Sequence, residues 1–121
     1  MRLSVLPNSP VPAYRQLYNE IISQMISGEL AEGTALPPIR TVSRELGVSV
    51  ITVRTAWEAL EADGLIATRA GSGCFIGNPG LNELKELRSR AIAEPLNALA
   101  ETARNLGFSS EELTEEVKRT Y

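Results

Sequence analysis

Three groups of side chains in this sequence have the types and spacing to hold a polyanion and read it. Arg40 and Arg44 stand one helical turn apart, with Thr41 beside the first. Ser49, Ile51, Thr52, Arg54 and Thr55 crowd into one short stretch, and Arg69, Gly71 and Ser72 surround a glycine-rich turn. A guanidinium donates a two-pronged fork to guanine O6 and N7 or to a phosphate. Serine and threonine hydroxyls reach phosphates or base edges, and a branched apolar side chain meets a thymine methyl. Glycines let the backbone come close to a groove or a phosphate. Other chemistry is thin. Histidine is absent, which removes the commonest general base and metal ligand. Cys74 is the only cysteine, so no intrachain disulfide or multi-cysteine zinc site can form. With no histidine or second cysteine to activate it, Cys74 reads as a small packing residue. Glu111, Glu112, Glu115 and Glu116 lie near a helix start, where carboxylates offset the dipole and metal binding is the weaker reading. No catalytic residue, metal or cofactor is expected.

The elements that position these residues lie between Leu36 and Ile76, LPPIRTVSRELGVSVITVRTAWEALEADGLIATRAGSGCFI. A helix is expected over Ile39–Leu46, with Pro38 near its first position, Val42 and Leu46 on its apolar face and Gly47 ending it. Ser49 caps a further helix over Val50–Asp63. At 100° per residue, Val50, Val53, Ala56, Trp57 and Leu60 share one side of it. Ile51, Thr52, Thr55, Glu58 and Ala59 face the other way, with Arg54 at the edge. Trp57 therefore belongs to the core rather than to a stacking platform. Leu65–Arg69 and Cys74–Gly77 read as a hairpin around Ala70-Gly71-Ser72-Gly73. A lone hairpin is marginal, so Leu65, Ile66, Phe75 or Ile76 must pack on the helices. The order is helix-turn-helix and wing, which seats one helix in the major groove of DNA. Each residue has a plainer reading beside this one. Ile51 can pack under the N-terminal arm or be a stray surface apolar residue, Arg44 can pair with a nearby glutamate, and the wing glycines can serve only turn geometry.

Upstream, residues 1–11 are broken by proline and asparagine and read as an extended arm. Tyr14, Leu17, Ile21 and Met25, with Tyr18, Ile22 and Ile26, mark a helix from Pro12 to Gly28. The link SGELAEGTALPP is rich in turn residues. Downstream, Asn78-Pro79-Gly80 is a composition break. It divides a DNA-binding domain, 1–78, from a helical tail, 79–121. Leu84, Leu87, Ala91, Leu96, Leu99, Ala100, Ala103 and Leu106 make an apolar stripe along the tail. Pro95 either kinks one long helix or starts a second. Gly107 stops it, and Ser109 with Glu112 forms a capping box for a last helix bearing Leu113 and Val117. The stripe has no core of its own to cover it, so pairing with a second copy buries it.

The formal charge is −3, with six arginines against seven acids before residue 81 and six bases against eight acids after it. Steering toward DNA is therefore weak, and binding must rest on a few placed arginines. No apolar run is long enough to cross a membrane or to serve as a signal peptide, so no membrane partner and a cytoplasmic location are expected. The chain is read as mainly α with a small β-hairpin.

Across residues 11–77, the run from PAYRQLYNEIISQMISGEL through LPPIR, GVSVITV and EADGLI to RAGSGCFI resembles the winged helix-turn-helix of GntR-type bacterial transcription regulators. ARNLGFSSEELTEEV resembles the short two-helix tail of the YtrA-like branch. The resemblance implies a homodimeric, double-stranded-DNA-binding regulator, a repressor of a nearby transport operon, paired through its C-terminal helices. It implies DNA contacts at Arg40, Ser49, Thr52, Arg54 and Gly71. Ala70 and Ser72 stand where the family wing often carries basic residues. Val50-Ile51 is less polar than the usual recognition-helix start, and Pro38 replaces a serine-type cap. These departures weaken the phosphate grip. The 41 residues that follow Gly80 have little room to enclose a metabolite in one protomer, which leaves the dimer interface for a small effector. The competing reading is a winged-helix module that binds protein and not DNA, or the detached N-terminal part of a larger enzyme. The acidic balance and the depleted wing favour it; the exposed Thr/Arg face opposes it.

Overall fold

Residues 2–121 are described by the computed structural model; Met1, the first residue of the expected arm, lies outside them. The order is α1 (Ala13–Ser27), α2 (Ile39–Leu46), α3 (Val50–Ala62), β1 (Ile66–Arg69), β2 (Gly73–Ile76), α4 (Leu81–Asn105) and α5 (Ser110–Thr120). By backbone packing the chain forms two compact units, Met1–Glu86 and Leu87–Tyr121.

In the first unit, α1 buries Leu17, Tyr18, Ile21, Ile22 and Met25, the apolar stripe of its 3.6-residue period. Leu17, Ile21, Val53, Leu60 and Leu65 are fully enclosed. Each such side chain contributes about 1.5–3 kcal/mol through removal from water. Tyr18 donates its hydroxyl to Asp63 Oδ2, which ties α1 to the C-terminal end of α3. The arm lies along a second stripe of α1. Gln16 takes Leu6 N–H at 2.8 Å and gives its amide to Leu6 and Val11 carbonyls at 3.1 and 2.8 Å. Glu20 accepts from Ser4 N–H at 3.1 Å, and Gln24 donates to Arg2 O at 2.6 Å.

The step from α2 to α3 is set locally. Gly47 takes φ +68, a region a side chain enters only with strain, so the helix ends there. Ser43 then closes the turn from both sides. Its carbonyl accepts from Gly47 and Val48, and its hydroxyl donates to Val48 O at 2.5 Å. Ser49 caps α3 by accepting from Thr52 N–H at 3.0 Å. The helix finishes at Ala62 with Asp63 as its cap, one residue short of the expected end.

The hairpin pairs Ile66 with Ile76, Ala67 with Phe75, Thr68 with Cys74 and Arg69 with Gly73. β1 begins one residue later than expected and ends at Arg69 as expected, while β2 begins and ends one residue early. Leu65 N–H is taken by Leu60 O at the end of α3, and Leu65 O accepts from Gly77 N–H, so both residues serve as connectors. The turn-rich link holds a feature that its composition hides. Gly33 N–H donates to Ile76 O, Ile76 N–H to Thr34 O and Leu36 N–H to Cys74 O, and Ala35 bridges Phe75. The free edge of β2 is thus partly paired, which props a ribbon that is marginal on its own. No alternating pattern announces this segment, because only one bridge forms.

Of the two readings of Pro95, the backbone takes the single helix, with Pro95 inside α4. Proline lacks an amide hydrogen, so the carbonyl one turn earlier loses its partner without ending the helix. In the second unit Ser109 and Glu112 form the expected capping box at the start of α5, at 3.1 and 2.9 Å.

Candidate nucleic-acid interface

The second residue of α2 is Arg40, exposed, and Arg44 is exposed one turn later; Thr41 between them is half-buried. On α3 the polar face stands away from the core as the period requires. Ile51 is 70% exposed, so it does not pack beneath the arm. Arg54 and Thr55 are exposed, Thr52 is half-buried, and Ser49 sits exposed at the cap. Trp57 and Val53 are buried on the opposite side.

Three of the hydroxyls are already engaged. Ser49 Oγ lies 2.8 Å from Thr52 Oγ1, and Thr55 Oγ1 donates to Ile51 O at 2.8 Å. Each oxygen keeps acceptor capacity, and the local bonds hold its direction. The arginines differ. Among the described residues, the ion pairs are Arg2–Glu29, Lys118–Glu115 and Arg119–Glu116, and Arg40, Arg44 and Arg54 have no carboxylate within 4.0 Å. Their guanidiniums are exposed forks with open donors.

The start of α2, the flank of α3 and the end of the wing meet around a cleft of about 400 Å³. Arg40, Arg54 and Ser72 line it over a floor that includes Trp57, Val50 and Cys74. Two cationic forks and a hydroxyl thus border one depression beside the exposed face of α3, an arrangement suited to phosphate and base-edge oxygens. Arg44, Ile51 and Thr55 lie outside that cleft. Arg69 is elsewhere too: its guanidinium rests over the Phe75 ring at 4.7 Å. At the tip, Ser72 N–H donates to Arg69 O at 3.0 Å, and Gly71 takes φ +75, where a side chain would be strained.

Sequence reasoning overlooked Ser43, whose hydroxyl closes the helix-turn-helix, and Thr68, which contacts α3. A serine four residues before a glycine stop is the only local signal for the first. Nothing local marks the second, because its partner lies on another element. The tail stripe divides. Leu84, Leu87 and Ala103 are buried within the protomer and Ala91 is half-buried, whereas Leu96, Leu99 and Leu106 are exposed. Ile92, Phe108, Val117 and Tyr121 add to the exposed apolar surface.

Comparison with known proteins agrees with this geometry. A family model described as "Bacterial regulatory proteins, gntR family" matches residues 13–76. The chain is 41% identical over 69 residues to "Probable rhizopine catabolism regulatory protein MocR" of Rhizobium meliloti, a match over 57% of this chain that spans 14% of that protein. It is 28% identical over 116 residues to "HTH-type transcriptional repressor YtrA" of Bacillus subtilis (strain 168), covering 96% of this chain and 89% of that one. Among solved structures it is similar to YtrA from Sulfolobus acidocaldarius, with TM-score 0.59 and 31% identity over 74% of this chain and 95% of that one. It is also similar to AraR(DBD) in complex with operator ORX1, with TM-score 0.56 and 29% identity over 64% of this chain and 99% of that one.

Proposed function

The chain belongs to the gntR family of bacterial regulatory proteins, and we propose from that premise that it works as a homodimeric repressor on a pseudo-palindromic operator. It is a DNA-binding transcription regulator with the winged helix-turn-helix of its family, and its near full-length similarity to YtrA allies it with the short-tailed branch. The observation that carries the reading is the cleft where Arg40, Arg54 and Ser72 converge beside the exposed face of α3.

The DNA-binding domain is 1–78. Ile51, Thr52, Arg54 and Thr55 of α3 face base edges in the major groove, with Ser49 at the phosphate. Arg40 forks onto a guanine or a phosphate, and Thr41 and Arg44 lie along the backbone. The wing carries Arg69, Gly71 and Ser72 to the flank. The tail, 79–121, pairs two copies. Leu96, Leu99 and Leu106 are its open apolar positions, and burial in a dimer removes them from water. Two recognition helices then meet half-sites about one helical turn apart. An apolar recess of about 380 Å³ between Leu99, Leu113, Val117 and Tyr121 is where the tail has room for a small effector. Among the described residues no helix is long and apolar enough to cross a membrane, and the proposed place of action is the cytoplasm.

Selection of bound duplexes from a random pool, at low and near-physiological salt, tests the reading. An inverted repeat enriched at both salts is expected. A pool that stays random at both would transfer the weight to a winged helix that docks on protein.

A further inference from the structure

The wing has two faces. Ile66 and Ile76 are buried, and Thr68 and Cys74 follow them on the same side through the strand alternation. Ala67, Arg69 and Phe75 fall on the other. Only the base of the hairpin is fastened by apolar packing, because every residue from Ala67 to Gly73 is exposed. Backbone bonds from residues 33–36 reach β2 only as far as Cys74, and a two-stranded ribbon beyond such support bends and twists easily. Midway to the tip, however, Thr68 Oγ1 donates to Glu61 Oε2 in the last turn of α3 at 2.5 Å. The same oxygen lies 3.4 Å from Sγ of its cross-strand partner Cys74. Among the described residues this is the one side-chain hydrogen bond that joins α3 to the hairpin. Its acceptor is a carboxylate, which makes it stronger than a bond between neutral groups.

We infer that Thr68 is a positioning residue which, through Glu61, sets the angle of the wing against α3 and so decides whether the tip reaches the DNA flanking the recognition helix. The inference rests on the reading of α3 and the wing as the DNA-contacting surface. Thr68 and Glu61 touch no DNA themselves in this account. They hold Ser72 beside the cleft that Arg40 and Arg54 line.

The test uses the full chain and the duplex recovered by selection. Thr68→Val keeps the branched shape and removes the hydroxyl; Thr68→Ser keeps the hydroxyl. Thr68→Val is expected to weaken binding about fivefold, about 1 kcal/mol at 1.4 kcal/mol per tenfold. Hydroxyl-radical protection should vanish at the flanks and persist under α3, and Thr68→Ser should restore both. The pair Thr68→Val with Glu61→Ala should lose no more than either change alone. Additive losses, equal losses for the valine and serine variants, uniform loss of protection or unchanged binding with intact flanks would each overturn the inference. Arg54→Ala is measured alongside. If it binds as tightly as the unaltered chain, the underlying interface fails; if it weakens while Thr68→Val does not, only the role of Thr68 fails.

Discussion

Arg40 illustrates what a charge needs in order to serve as a reading group in the proposed interface. It is exposed, has no carboxylate partner among the described residues and stands at the mouth of a cleft it shares with Arg54. An arginine already engaged in an ion pair would surrender that pair on binding, whereas an open fork surrenders only water. We predict that Arg40→Ala lowers affinity for the selected duplex by about 1–3 kcal/mol and relaxes preference at one base pair. Titration against single-base variants of the duplex checks this, and unchanged affinity would remove Arg40 from the interface. Ile51 is the complementary case. A branched apolar side chain left 70% exposed beside the helix start gains by meeting a thymine methyl. Ile51→Ser is expected to erase discrimination of thymine at one position, with thermal stability held, since the residue covers no core.

Among the elements, the turn between α2 and α3 concentrates the most consequence in the fewest residues. Gly47 has open space around its missing Cβ, so Gly47→Ala meets no clash and bears only the cost of φ +68. The expected loss is about 1–2 kcal/mol in denaturant unfolding. Ser49→Ala removes the cap on Thr52 N–H and costs about 1 kcal/mol by the same measurement. A loss near zero would mean that water replaces the cap. Caps, glycine stops and the apolar periods of α1, α2 and α3 were legible in the sequence because each signal acts within one or two turns. The outer strand ends were not, because Leu65 and Gly77 are claimed by carbonyl and amide partners on either side of the hairpin. Pro95 was legible only as an alternative. Proline weakens a helix without dictating whether the neighbouring turns hold it together.

At the scale of the molecule, the net charge of −3 works against long-range attraction to DNA. Affinity should therefore fall gently with salt, well short of the slope of about −9 that ten neutralised phosphates give at about −0.9 each. Titrations across salt concentration decide this; a slope near −9 would mean that more of the surface touches phosphate than the cleft arginines supply. The tail makes the other global prediction. Leu99→Asp introduces a charge on the exposed apolar surface and is expected to turn the proposed dimer, read by sedimentation, into a monomer that binds the selected duplex poorly. A variant that stays dimeric would place the pairing surface elsewhere.

By itself the sequence determined the order of helices, their capping residues, the wing, and which face of α3 is polar. These follow from periods and turn chemistry that operate between neighbours along the chain. Only the tertiary structure decided that Ala35 bridges Phe75, that Tyr18 reaches Asp63 and that Thr68 reaches Glu61. It also decided that Arg40, Arg54 and Ser72 border one cleft, and that Leu84, Leu87 and Ala103 are covered while Leu96, Leu99 and Leu106 are not. The reason is the same in each case. A hydrogen bond or a buried face needs a partner, and where the partner lies far along the chain, the packing of whole elements brings the two together.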